Sequence, residues 1–185
     1  MTTFSYEVIS LRDILSESPE GSVSDMLSKF SCERDKDVES FLKEKAIVQE
    51  KKHISRTYLI FTTGSCTELL AYFTIAVSTM DVTGIVCSKE MQKKMNINRG
   101  LAQSYLLGQL GKCDGSPKGL GKFAVEQATD RIIAANLNVG CRVIRVDCKQ
   151  SLVKYYEGIG FMFARHNYND DLVQMVRIIG TQTAS

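Results

Sequence analysis

The stretch from Ser104 to Phe161 constrains the fold more than any other part of the chain. Ser104–Lys112 reads as a strand with an internal glycine at 108, and a short loop after it carries Lys118-Gly119-Leu120-Gly121. A helix is predicted from there to about Asn136. Arg142–Cys148 reads as a second strand, and Tyr155-Tyr156-Glu157-Gly158-Ile159-Gly160-Phe161 follows it. A strand, a glycine turn, a helix and a strand together make a seat for a phosphate, because open backbone amides at a helix start point at the anion. A tyrosine just past the second strand can be aimed at whatever hangs from that phosphate. The unit predicts an enzyme that uses a pyrophosphate-bearing cofactor.

The rest of the sequence sets bounds on this reading. At 185 residues the chain fits one domain, 1–185, with enough apolar material for a core of its own. The first twenty residues hold Glu7, Arg12, Asp13, Glu17 and Glu20 and no long apolar run, so no secretory signal is expected and a cytoplasmic setting is. Leu69–Val86 is the one membrane candidate, but Asp81, Ser78 and threonines interrupt it. A buried strand and a turn are expected there, and no membrane partner. The six cysteines (32, 66, 87, 113, 141 and 148) show no C-x-x-C spacing, and His53 and His166 stand alone, so no metal site is expected. Cys141 and Cys148 read as core; Cys113 reads either as loop filler or as an exposed, reactive thiol.

Charge is unevenly spread. Residues 89–122 carry seven basic side chains (Lys89, Lys93, Lys94, Arg99, Lys112, Lys118 and Lys122) against two acidic ones, a net +5. Residues 1–32 come to −3. The basic excess brackets the glycine loop, as a solvated face or as a field that draws in a polyanionic cofactor or nucleic acid.

Elsewhere, residues 5–11 are expected to be an opening strand, 16–22 a loop, 23–30 a short helix and 35–52 an amphipathic helix. Thr57–Thr62 and Leu69–Ser78 read as a hairpin around Thr63-Gly64-Ser65. Residues 88–100 read as a lysine-rich loop or short helix. Phe161–Arg165 and Leu172–Ile179 read as a second hairpin around His166–Asp171. This order predicts a mixed α/β (α+β) sheet with helices on both faces.

Three nucleotide-binding patterns compete for Gly111–Ala124. A Walker A loop fails twice, with Ser116 where its first glycine belongs and Phe123 where its hydroxyl residue belongs. A Rossmann-type dinucleotide fold matches Gly119-Leu120-Gly121-Lys122-Phe123-Ala124 and has Asp147 at the end of the next strand. Its tight turn is missing, however, and too little chain follows for a six-stranded sheet. The third pattern fits the order of elements. Ser116-Pro117-Lys118-Gly119-Leu120-Gly121 lies where the GNAT N-acetyltransferase superfamily has Q/R-x-x-G-x-G/A, with Ser116 in place of Gln or Arg. Tyr156-Glu157-Gly158-Ile159-Gly160-Phe161 matches that family's tyrosine, three residues and Gly-Phe. The chain resembles this superfamily from its first strand to its last, and Leu107-Gly108-Gln109-Leu110 looks most like its bacterial tRNA-acetylating toxin branch.

The resemblance implies a twisted, mostly antiparallel sheet with splayed middle strands, acetyl-CoA as co-substrate and no metal. It implies that amides from Lys118 through Gly119, Leu120, Gly121 and Lys122 cradle the diphosphate, while Ser116 donates a hydroxyl. The pantetheine arm would lie along Leu110, Gly111 and Lys112, where Gly108 either starts the splay by a bulge or merely permits close packing. Tyr156 is the implied general acid, the alternative being a core tyrosine; Tyr155 is a wall beside it. No base is assigned. The acceptor would be a primary amine: an aminoacyl-tRNA as for a toxin with an antitoxin partner, a small amine or a protein N-terminus. A homodimer is a further implied partner. The competing readings are a CoA-binding or interaction module with little catalysis, and the Rossmann-type domain.

Overall fold

A computed structural model describes residues 5–64, 67–85, 88–168 and 171–180. Its strands follow the order β1-β2-β3-β4-β5-β7-β6. The chain divides into two compact units, Met1–Ala76 with Gln109–Ala128 and Val77–Gly108 with Thr129–Ser185, so two strands and one helix are shared between them.

The first unit opens with β1 (Tyr6–Ser10), which pairs antiparallel with β2 (Arg56–Thr62); β2 pairs antiparallel with β3 (Leu69–Asp81). Ser10 ends β1 because its hydroxyl accepts from the Asp13 amide at 3.1 Å and caps α1 (Leu11–Glu17). The expected strand 5–11 therefore stops one residue early. The expected loop 16–22 is mostly helix, with α2 (Glu20–Ser28) starting after Ser18 and Pro19. Over 35–52 the single expected helix is three pieces: α3 (Lys36–Ser40), a π-turn at Phe41–Lys45 and α4 (Ala46–Lys51). The Ala46 amide reaches back five residues to the Phe41 carbonyl.

Leu11, Leu27, Phe30, Leu42, Leu59 and Tyr72 form the centre of this unit's core. Tyr72 sets its ring edge-on to Phe30 and donates its hydroxyl to the Val38 carbonyl at 2.5 Å. Buried Glu50 is fully engaged: Arg56 donates to one oxygen at 2.6 Å and the Thr57 amide to the other at 2.8 Å. A buried carboxylate needs that company.

The second unit holds α5 (Lys89–Lys94), β5 (Val143–Lys149), a 3-10 turn at Gln150–Leu152, α7 (Val153–Gly158), β6 (Met162–His166) and β7 (Leu172–Ile178). It also contains the end of β3, the first part of β4 (Leu101–Lys112) and the second half of α6 (Leu120–Asn136). β7 lies between β5 and β6, antiparallel to both. The lysine-rich stretch read as loop or short helix is α5, capped by the Ser88 hydroxyl. Its Met91, with Met95 beyond, packs on Val143, Ala164 and Val176.

β4 and β5 form the parallel pair. Their ladder joins Tyr105 to Ile144, Leu106 to Arg145 and Leu107 to Val146, and ends just before Gly108. Between the bonded pairs Val82–Gly100 and Cys113–Leu70, β4 uses one residue more than β3 does. Nearby, the Gln109 amide donates to the Thr74 hydroxyl at 2.9 Å rather than to a backbone carbonyl. The one-residue mismatch is that of a bulge in β4, which is one of the two roles weighed for Gly108.

Among the described residues no helix is long and apolar enough to cross a membrane, and no group of His, Cys, Asp and Glu could hold a metal ion. Cys66, Cys87, Ser65 of the first hairpin turn, and residues 169 and 170 of the second lie outside the described residues.

Candidate functional site

Nine of the ten residues singled out for function lie in the first unit, and Tyr156 lies in the second. In the first unit the loop after β4 is anchored at several points. The Cys113 amide donates to the Leu70 carbonyl at 2.7 Å, and Asp114 accepts from the Ser31 hydroxyl at 2.8 Å and the Glu33 amide at 3.1 Å. Those bonds hold the Asp114 carboxyl below its ordinary range, the Ser31 hydroxyl contributing most.

Gly119 then turns the chain with φ of +89°, a conformation that costs a residue with a Cβ, and nothing lies within 4 Å of where a Cβ would be. Leu120 is buried and pins the start of α6. The first helical bond runs from the Phe123 amide to the Gly119 carbonyl at 3.1 Å, so the amides of Gly121 and Lys122 have no acceptor within the helix. Lys118 and Lys122 are exposed, Lys122 making only a loose pair with Glu126 at 3.8 Å. An exposed glycine turn, two amides without a helical acceptor and two cations have the chemistry to receive an anion.

Ser116 does not act as expected. Its hydroxyl donates to the Leu70 carbonyl at 3.1 Å and its amide to the Cys113 carbonyl at 3.2 Å. A hydroxyl has one proton, so this one tethers the loop to β3 and has none left for a phosphate. Cys113 is likewise tied down: its thiol lies 3.2 Å from the Leu69 carbonyl, and burial pushes its pKa up. Of its two readings, the unreactive one stands.

Leu110 and Lys112 are half-buried; Gly111 between them is fully buried. A Cβ on Gly111 would come 2.4 Å from Val38 Cγ1 and 2.8 Å from Tyr72 Cε1. Its missing side chain serves the packing of β4 on α3 and β3, a role the sequence alone gave no sign of.

In the second unit, β5 leads through the 3-10 turn into α7, which carries Tyr156. The ring is 4% exposed, set edge-on between Tyr155 and Phe161. Its hydroxyl has no hydrogen-bond partner among the described residues. Burial, with Cys148 and Tyr155 adding smaller effects, pushes its pKa well above the phenol's usual value. Cys148 is core as expected, its thiol pushed up to about 11 by burial. Cys141 is only half-buried. Tyr155 is partly exposed and meets Tyr156 edge-on.

Two hollows of about 260 and 310 Å³ lie in the second unit, along the later half of α6 and the end of β7, lined in part by Ile133, Leu137, Arg142 and Ile179. None of the expected site residues lines them.

No family model and no curated protein sequence matches the chain. Solved structures do match. A tyrosine-to-phenylalanine mutant of KacT superposes with a TM-score of 0.73 at 22% identity, over 92% of this chain and 94% of that one. AtaT complexed with acetyl-methionyl-tRNAfMet gives 0.72 at 22% identity over the same shares. AtaTR bound with AcCoA gives 0.64 at 19% identity, covering 92% of each chain. The chain has the fold of these proteins, the mixed and mostly antiparallel GNAT fold expected from its sequence.

Proposed function

We propose that the protein is an acyl-CoA-dependent N-acetyltransferase that moves the acetyl group of acetyl-CoA to the primary amine of an aminoacyl-tRNA, in the manner of a toxin held in check by an antitoxin. The observation that carries the reading is the unspent amides at the start of α6 behind a glycine turn, on a fold shared with a structure that holds AcCoA. Support for the acceptor comes from the similarity to a structure complexed with acetyl-methionyl-tRNAfMet and from the exposed lysines of α5. Antitoxin AtaR is bound in another similar structure, which supports a protein partner of that kind.

In this reading the amides of Gly121 and Lys122 and of the turn at Lys118–Gly119 hold the diphosphate, with the Lys118 and Lys122 side chains adding charge; the expected Leu120 amide is spent on the Pro117 carbonyl at 3.4 Å. The freed backbone at Leu110–Lys112 hydrogen-bonds the pantetheine arm as a further strand. The acceptor nitrogen attacks the thioester carbonyl, the N–C bond forms as the C–S bond breaks, and the sulfur leaves as a thiolate. Tyr156 donates its proton to that sulfur and regains one from the nitrogen by way of solvent. Its raised pKa keeps the phenol protonated across the neutral range. An α-amino group, with a pKa near 8, reaches its neutral form with less help than a lysine side chain, which suits a site with no assigned base.

The test is release of CoA thiol from acetyl-CoA with charged tRNA, uncharged tRNA and small amines as acceptors. Turnover with charged tRNA alone is expected. Turnover with small amines and not with tRNA would replace the acceptor, and none with any amine would favour a CoA-holding module.

A further inference from the structure

The described residues contain four fully buried side-chain polar atoms with no hydrogen-bond partner: Thr57 Oγ1, Arg165 Nη2, Asn167 Oδ1 and Gln174 Oε1. Three of the four lie on one face of one hairpin. Arg165 is opposite Gln174 in the β6–β7 ladder, and the Asn167 amide donates to the Leu172 carbonyl, so the ladder continues two residues on. Side chains two apart on a strand share a face, which puts Arg165, Asn167 and Gln174 on the same side. Arg165 is 7% exposed and Gln174 9%.

The guanidinium is fixed on its other edges. Nη1 donates to the Asp81 and Thr83 carbonyls, both at 3.3 Å, and Nε to the His166 carbonyl at 3.3 Å. The ring of Tyr168 covers it at 3.5 Å, and Tyr168 itself is 74% exposed. Orphaned buried polar groups are costly, and three together call for a common partner.

The polarity of the three atoms specifies that partner. One is a donor and two are acceptors. A phosphate or carboxylate, which only accepts, would meet Arg165 but face two carbonyl oxygens. An ammonium would meet the oxygens but face the guanidinium. A planar group with an amino nitrogen beside a ring acceptor answers all three: two N–H bonds go to Gln174 and Asn167, and one lone pair accepts from Arg165. Cytosine and adenine present that edge; uracil presents one donor between two acceptors. Tyr168, lifted from Arg165, offers the aromatic face on which an unpaired base stacks.

We infer that this hairpin face binds an unpaired nucleobase bearing an exocyclic amino group, with Tyr168 as its cover and stacking platform. The inference rests on the reading of charged tRNA as acceptor, whose unpaired 3′ end is C-C-A. Met91 and Met95 pack against Val176 and Ala164 of the same two strands. Lys89, Lys93 and Lys94 of α5 are exposed beside them, a second means of holding the same strand through its phosphates.

The experiment is binding of labelled r(CCA) and r(UUU) oligonucleotides, and of CMP and UMP, to the full chain, alongside acetyl transfer to charged tRNA. Tighter binding of the cytidine forms, by about tenfold, is expected, and Tyr168→Ala should weaken r(CCA) by a similar factor while leaving its salt dependence unchanged. Tyr168 is exposed enough that this variant keeps its fold, and the base swap needs no protein variant at all. Arg165→Lys, which keeps the charge and loses the fork, should abolish the preference for cytidine. Equal binding of CMP and UMP, with Tyr168→Ala unchanged, would overturn the inference and leave the three atoms to a buried water. Acetylation of tRNA without base preference would sink the hairpin site alone. Base preference without acetylation of tRNA would keep the hairpin site and sink the acceptor.

Discussion

The two units keep their unused hydrogen-bonding groups in different parts of the molecule. In the first, the side chains of the loop after β4 are spoken for up to Ser116: Ser116 tethers to Leu70, Asp114 holds Ser31 and Glu33, and Cys113 points at Leu69. What remains open at the start of α6 is backbone, the amides of Gly121 and Lys122, with the exposed ammonium groups of Lys118 and Lys122 beside it. In the second unit the open groups are side chains: the Tyr156 hydroxyl, Arg165 Nη2, Asn167 Oδ1 and Gln174 Oε1. Backbone amides suit a ligand whose anionic part never changes, since they recognise charge and shape without identity. Side chains suit a ligand that must be told from its rivals. The contrast is in keeping with the proposed function, in which backbone holds an invariant coenzyme and side chains choose the acceptor.

The largest expected effect tests the second unit. Tyr156→Phe should lower kcat by about 10²- to 10⁴-fold with acetyl-CoA affinity nearly unchanged, measured by thiol release and by calorimetric titration. Equal turnover would remove Tyr156 from the mechanism and leave it a core residue.

Two glycines sharpen the contrast within the first unit. Gly111→Ala should cost about 1–3 kcal/mol of stability through overpacking against Val38 and Tyr72, read from denaturant titration. Gly119→Ala meets no atom but strains a positive φ, for about 1 kcal/mol. Its main effect should be a raised KM for acetyl-CoA. If Gly119→Ala loses stability alone, the turn is a fold element and not a cradle.

The smallest effects are those of pH. Glu39 accepts from the Cys32 amide, Lys43 and Lys36, the amide contributing most, and its carboxyl is held down at about 2. A depressed carboxylate stabilises the fold above its unfolded pKa, and that stability is lost as pH falls from about 4.5 through about 2. Glu39→Gln should flatten this acid limb. At the other end, burial raises the pKa of both Tyr72 and Tyr156. Their contribution is intact below the ordinary phenol pKa near 10 and declines above it. Tyr72→Phe should lessen that alkaline loss, at the cost of its bond to Val38.

The strand–turn–helix–strand unit could be read from sequence because each of its parts is a local pattern. Gly119 needs its positive φ for reasons internal to the turn, and the alternation of β5 is its own. What could not be read depends on partners far along the chain. Ser116 looked like a phosphate donor because nothing nearby in sequence reveals that Leu70 takes its proton. Gly111 looked like part of a cofactor edge because Val38 and Tyr72, which exclude any side chain there, lie some forty to seventy residues away. Arg165 drew no notice in the short first strand of the last hairpin, since its bonds run to carbonyls at 81 and 83. The π-turn escaped because the apolar spacing of Val38, Phe41, Leu42 and Ala46 is also that of an ordinary helix, and α1 escaped because Ser10 caps a helix in what reads as a continuing strand.

The contact of Gly111 with Val38 and Tyr72 also restricts how the chain can drift over generations. No side chain can be gained at 111 unless 38 or 72 shrinks first, and shrinking Tyr72 removes the hydroxyl that caps a helical carbonyl. Descendants should therefore change these three positions together or not at all, so that the edge proposed to carry the coenzyme arm stays fixed while surface residues around it are replaced freely.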